Sequence, residues 1–293
     1  MRLACSFCLG SGALLAWVYG GLRDSERTLW HRLWNGFSVG DLVVTDRGFC
    51  GYADIWSLSQ RGVHTVMRAN GRRSAGVREV RRLGKKDRLV EWTRSVRPKW
   101  MDKATWQSMP QTMILREINY TVAIPGLRTK SVTVVTTLLD EHQYPAEAFA
   151  ELYRRRWMVE LFLRDIKISM GMDHLRCKSP AMVDKELLMH IIAYNLIRAL
   201  MLDAAQNYPI DPTSLSFKGA AGLIRQWAPL LAALSSKQKR QDMEKMLLYY
   251  IAHTVVTRRP NRSEPRALKR RPKNYQLLNK PRQQFHEIPH RTR

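Results

Sequence analysis

The run Asp41-Leu42-Val43-Val44-Thr45-Asp46 constrains the fold of this chain most. Four apolar or β-branched residues lie between two carboxylates, with Gly40 before them and Gly48 and Gly51 after. That is the pattern of a buried strand ending in an exposed acid. Upstream, Leu3–Leu9 and Ala13–Tyr19 are short apolar runs separated by Gly10-Ser11-Gly12, which reads as a hairpin rather than as one hydrophobic signal segment. Ser25 suits the N-cap of a helix over about Glu26–Asn35, with Leu29, Leu33 and Phe37 on one face. Beyond Asp46 the pattern predicts a helix to about Gln60 and a strand at His64–Met67. The order strand, strand, helix, strand, helix, strand indicates an α/β sheet.

Composition narrows the partners. The 293 residues carry 49 Lys+Arg against 25 Asp+Glu, a net charge of +24, while 45% of the chain is hydrophobic. That apolar share supplies a sizeable core and excludes a disordered basic tail protein. A folded body with this charge attracts polyanions, nucleic acid first and an anionic membrane second. Four cysteines in this length exclude a disulfide scaffold. Cys5 and Cys8 have CxxC spacing, which suits zinc or redox chemistry, but no second pair follows. Two small apolar residues in a strand is the favoured reading. In the longest apolar run, Leu187–Leu202, Asn195 and Arg198 interrupt the roughly 18 uncharged residues that a membrane span needs. No basic amphipathic anchor helix stands out, so the expectation is a cytoplasmic protein with no membrane partner.

Between residues 71 and 140 helical periodicity fades. Ser131-Val132-Thr133-Val134-Val135-Thr136-Thr137 is β-branched, and basic residues crowd Arg72–Arg97, which predicts a β-rich segment with one basic side. Helical patterning returns over Pro145 to about Met170, Met182–Gln206, Phe217–Ala233 and Lys237–Val255. The last 36 residues, Arg258–Arg293, hold 12 Lys+Arg, 2 Glu and five prolines and read as an extended basic arm.

The stretch Tyr153–Lys167 carries the chemistry. On an ideal helix at about 100° per residue, with Tyr153 at zero, Arg156 falls near 300°, Glu160 near 340° and Lys167 near 320°. One carboxylate is then flanked by a phenol, a guanidinium and an ammonium in a strip roughly 60° wide. This is either an exposed helix with a weak Arg156–Glu160 pair, or a carboxylate holding a divalent metal while basic neighbours grip a phosphodiester.

Tyr153, Arg156, Glu160 and Lys167 match without a gap the Tyr-(2)-Arg-(3)-Glu-(6)-Lys signature of bacterial insertion-sequence transposases of the DDE type. Gly40–Asp46 followed by Arg47-Gly48-Phe49 resembles the strand and turn that carry that family's second catalytic aspartate. The tail from Arg259-Pro260-Asn261-Arg262 to Lys269-Arg270-Arg271-Pro272-Lys273 is similar to family C-termini. The resemblance implies a ribonuclease H-like mixed sheet with flanking helices: residues 1–70 as its first part, 71–140 as a β-rich insertion, 141–210 as its second part with the Glu helix, 211–257 as C-terminal helices and 258–293 as a basic tail. It implies Asp46 and Glu160 as catalytic ligands of two Mg²⁺ ions, for which Mn²⁺ can substitute. Tyr153, Arg156 and Lys167 would contact DNA. Arg47 either does the same or pairs with Asp46. The implied partners are double-stranded DNA, as transposon ends and target, and a second copy in a synaptic complex. Trp100 and Trp106 would stack on an unpaired base or, the favoured alternative, pack in the core.

The chain departs from the family at one point. A DDE site needs a third carboxylate on a strand before the first hairpin, and Asp24 and Glu26 fall after it. The expectation is a truncated copy with impaired activity. A non-catalytic DNA-binding remnant at element ends is the main alternative, and a ribonuclease H-like nuclease outside transposition a lesser one. Asp165 is expected to be solvated, and His190 to be a packed histidine rather than a ligand.

Overall fold

A computed structural model describes residues 1–70, 76–121, 131–256 and 284. The predicted hairpin forms from β1 (Arg2–Phe7) and β2 (Leu14–Gly20), paired antiparallel with a bulge between Ser6 and Phe7. Ser25 caps α1 (Glu26–Leu33) by accepting from the Thr28 amide. A 3₁₀ turn, Trp34–Gly36, ends that helix. There follow β3 (Leu42–Thr45), α2 (Tyr52–Gln60) and β4 (His64–Arg68), with β4 parallel to β3. The first buried charge ties the two helices together. Asp54, in the first turn of α2, accepts from Arg27 at 2.6 Å and bonds His31 at 2.8 Å, both on α1. A buried carboxylate is tolerated because both its oxygens are partnered by cations or donors.

The β-rich segment extends this same sheet. β5 (Val77–Gly84), β6 (Asp87–Thr93), β7 (Thr112–Thr121) and β8 (Ser131–Thr136) add antiparallel to give the order β3-β4-β8-β7-β6-β5, with a short helix, α3 (Lys103–Ser108), between β6 and β7. The mixed sheet with flanking helices matches the ribonuclease H-like expectation. Successive residues on a strand face opposite sides, and here both sides are filled. Met67 and Val135 pack into a cluster with Trp30, Leu33, Ile55 and Leu58. Their neighbours Val66 and Val134 join Ile118, Val132, Phe149 and Tyr153 on the other face. Within the segment, Arg116 is fully buried on β7 and binds Asp87 of β6 at 2.9 and 2.5 Å. The outer strand β5 is mostly exposed and bears Arg78, Arg81 and Arg82, charges that discourage edge-to-edge association. Of the segment's tryptophans, Trp100 lies against His31, with ring centroids 4.1 Å apart, yet stays exposed, and Arg94 covers the half-buried Trp106 at 4.0 Å.

The helical half differs from expectation at one place. The single helix expected from Pro145 to Met170 is three pieces: α4 (Ala146–Arg155), a break at Arg156–Trp157, and α5 (Met158–Arg164) running into a π-helical turn, Asp165–Ser169. Beyond lie α6 (Pro180–Asn207), α7 (Phe217–Ala233) and α8 (Lys237–His253), which pack with the β1–β2 hairpin around Phe162, Tyr194 and Ile251. By length and composition α6 could cross a membrane, yet its inner face carries the buried Arg198 into this core. A second unit comprises Ile124–Arg128 and Arg259–Arg293, of which only Gln284 is described, so the expected basic arm lies outside the described residues.

Candidate active site

Asp46 immediately follows β3, where the parallel pair β3–β4 ends. It caps a 3₁₀ turn, Arg47–Phe49, its Oδ1 accepting from the Arg47 amide at 2.7 Å. The contact to Arg47 is thus through the backbone, and the Arg47 residue itself is exposed. The same Oδ1 accepts from the Tyr153 hydroxyl at 3.3 Å, 107 residues away in sequence. Tyr153 can reach because α4 lies on the sheet face lined by Val66 and Val134, which buries its ring. Burial, and then the Asp46 charge, push the Tyr153 phenol well above its ordinary range, against the pull of Arg156 and Arg68. It therefore stays protonated and acts as a donor.

Arg156 sits in the break after α4, its guanidinium 6.0 Å from the Tyr153 ring centre. It meets Glu160 at 3.5 Å. The Glu160 side chain is 47% exposed, so this pair contributes little to stability and leaves the carboxylate available. Asp46, Tyr153, Arg156 and Glu160 thereby form one chain of contacts.

Lys167 joins them less directly. Tyr153 to Lys167 is not one regular α-helix, since the turn at Arg156–Trp157 and the π-helical turn at Asp165–Ser169 each change the rotation per residue. Lys167 is exposed, and its ammonium acts electrostatically on Cys5 of β1, whose thiol burial pushes up to about 12. Cys5 thus has the surroundings of a small apolar residue.

Two neighbours escaped sequence reasoning. Arg68 acts electrostatically on both Tyr153 and Tyr120, and burial raises the Tyr120 phenol to about 12. Arg68 ends β4, one step beyond the Thr45–Met67 pairing. The tendency of ligands to bind at the carboxyl ends of parallel strands could have found it. Tyr120, near the end of β7, had no such signal, since only the sheet order brings it in.

Asp165 corrects an expectation. It is buried, not solvated, and accepts from Arg198 Nη2 at 2.8 Å. The Arg198 guanidinium lies between Phe162, at 4.7 Å, and Phe217, at 4.9 Å from the ring centres, and its Nε donates to the Tyr194 hydroxyl at 2.9 Å. Tyr194 in turn donates to the Gly12 carbonyl at 2.6 Å, while Asn195 pairs with both backbone groups of Leu14 at 2.9 Å. This network fastens the hairpin turn to the helix that carries Glu160 and Lys167.

Asp46 and Glu160 offer the hard oxygen donors that Mg²⁺ prefers, and Mg²⁺ is commonly held by one or two carboxylates with water and phosphate completing its shell. In donor chemistry they fit. Among the described residues, though, no group of three or more His, Cys, Asp or Glu stands ready to cage a metal. Thr45 Oγ1, one residue before Asp46, is buried without a hydrogen-bond partner.

In sequence the chain is similar to known transposases. The transposase of insertion sequence element IS4 from Escherichia coli strain K12 is 28% identical over 280 residues, covering 94% of this chain and 61% of its own length. The chain therefore spans less than two thirds of that relative. Shorter matches, 37% identical over 70 residues, reach the transposase of element IS421 from Escherichia coli and the putative transposase of element IS186A from strain K12, covering 24% of this chain and 18% of each. The model of the transposase DDE domain family matches residues 1–196. The chain belongs to the transposase DDE domain family.

Proposed function

We propose that this protein performs metal-dependent DNA strand cleavage and transfer at the ends of an insertion sequence, in the cytoplasm where bacterial DNA is reached. Its substrates are double-stranded transposon ends and target DNA, and two copies act together in a synaptic complex. The observation that carries this reading is the 3.3 Å bond from Tyr153 to Asp46, which draws one acid, one phenol and the guanidiniums of Arg68 and Arg156 into a single cluster. In this reading Asp46 and Glu160 hold divalent ions, Mg²⁺ or in its place Mn²⁺. Bound there, the ions supply Lewis-acid stabilisation of an in-line displacement at phosphorus. Tyr153 fixes the orientation of the Asp46 carboxylate. Arg156 and Arg68 neutralise phosphate oxygens, with Lys167 and Arg47 gripping the flanking backbone.

A site of two carboxylates holds metal weakly, so the proposed activity of the chain by itself is impaired. The net charge of +24 supports a second reading equally, a DNA-binding remnant that occupies element ends without cutting. Both are tested by nicking of cognate end DNA in Mg²⁺ or Mn²⁺, alongside Mn²⁺ binding followed by electron paramagnetic resonance. The enzyme reading requires weak nicking and Mn²⁺ binding that Asp46→Asn and Glu160→Gln each abolish. DNA binding with neither property would leave the remnant.

A further inference from the structure

The helix α6 is apolar on two sides, and among the described residues only one of them is filled. Leu187, Ile191, Tyr194, Arg198, Met201, Ala204 and Ala205 face the core. On the other side, Leu188, Met189, Ile192 and Leu196 are 47%, 63%, 43% and 62% exposed. With Ile192 set to zero on a regular helix, Leu188, Ala199, Leu196 and Met189 all fall between about −40° and +60°. Lys185 and Asp203 fall on the same stripe, both near +20°, one on each side of the apolar patch. Both are exposed. A helix apolar on two faces is normally covered on two faces.

We propose that this stripe is the contact between two copies of the chain, with α6 packed antiparallel against α6 of the second copy. Charge complementarity argues for that occupant. A twofold axis at the level of Tyr194 sets Ile192 opposite Leu196, Met189 opposite Ala199 and Lys185 opposite Asp203. The symmetry repeats each contact, so an apolar centre is closed at both ends by an ion pair, the two pairs about 27 Å apart along the helix. A parallel pairing would set Lys185 against Lys185 and Asp203 against Asp203. A lipid surface fits less well, because the Asp203 carboxylate lies on the stripe and would enter an apolar phase.

The inference deepens the pairing of two copies proposed above, but its evidence is the helix face, independent of any cutting chemistry. The test therefore uses the full chain without DNA, by light scattering and sedimentation. The expected mass is twice the 34.1 kDa of one chain. Ile192→Glu should give a folded monomer, with the circular dichroism of the wild type and a melt that no longer depends on protein concentration. Lys185→Asp or Asp203→Lys alone should weaken the dimer roughly tenfold, and combining them should restore it. A wild-type monomer at about 100 micromolar would overturn the proposal. So would a dimer indifferent to Ile192→Glu, or a double charge swap no better than the single ones. Binding to phosphatidylcholine vesicles that Ile192→Glu abolishes, without dimerisation, would assign the face to lipid instead. Should Ile192→Glu fail to fold, the charge swap alone decides. A monomeric result leaves the active-site reading intact, since nicking and Mn²⁺ binding are measured separately.

Discussion

The Tyr153 hydroxyl donates to Asp46 Oδ1 at 3.3 Å, joining the end of β3 to a helix 107 residues later. The bond is long for a hydroxyl–carboxylate pair, and so a modest orienting contact rather than a strong anchor. Tyr153→Phe keeps the buried ring and removes only that donor. The expected result is a thermal melt close to wild type and a nicking rate, in Mn²⁺, lower by about tenfold. Unchanged nicking would remove Tyr153 from the site.

Arg198 and Asp165 make the heaviest demand on folding. Truncating Arg198 to Met leaves a carboxylate buried without its cation, a change that typically costs about 3–5 kcal/mol. Urea unfolding should report a loss of that size, and Asp165→Leu combined with Arg198→Met should recover most of it. Burial raises the Asp165 pKa despite the opposing pull of Arg198 and Arg164. An acid raised in the folded state binds its proton more tightly there than in the unfolded chain. Its burden on stability is therefore full at neutral pH and fades as pH falls through the folded pKa. The Arg198→Met deficit should accordingly shrink in melts run at mildly acidic pH. A deficit that grows on acidification would contradict the assignment.

At Gly12 the backbone has φ +75°, and an added Cβ would lie 3.0 Å from Phe162 Cε1 and 3.1 Å from Arg198 Cζ. Left-handed backbone and close approach both require glycine here. Gly12→Val should destabilise the fold by roughly 2–4 kcal/mol in a denaturant melt. Gly48→Val is the control: an added Cβ there meets nothing within 4 Å. A similar loss at both positions would show that the hairpin turn has no special fit against α6.

Arg68 should act as a phosphate contact. Arg68→Ala is expected to weaken DNA binding similarly for cognate and unrelated duplexes and to reduce the salt slope of log K by about one. A loss confined to cognate ends would mean that Arg68 reads sequence instead.

Much of the architecture was legible because it depends on local pattern. The apolar run Leu42–Thr45 between acids, the Ser25 cap and the β-branched Ser131–Thr136 each announced an element through side-chain chemistry within a few residues. The Tyr153, Arg156, Glu160 and Lys167 spacing carried the family resemblance in the same way. The helix break at Arg156–Trp157 was not legible, since the residues around it are good helix formers and no Pro or Gly marks it. Asp165 was misread for a related reason. Rotation about a helix axis tells which residues share a side, but not that Arg198, 33 residues on, waits there to neutralise a buried acid.

The sequence by itself determined the elements, the excess of positive charge and the identities of the acids and cations. Those follow from propensity, periodicity and composition, which act over a few residues. Only the tertiary structure decided that β7 carries Tyr120 to the end of β4, that Tyr153 meets Asp46, and that one face of α6 is core while the other is open. Such contacts span many tens of residues and depend on the order in which strands join the sheet. Strand order is chosen by the burial of whole faces, a property that no short stretch of sequence holds.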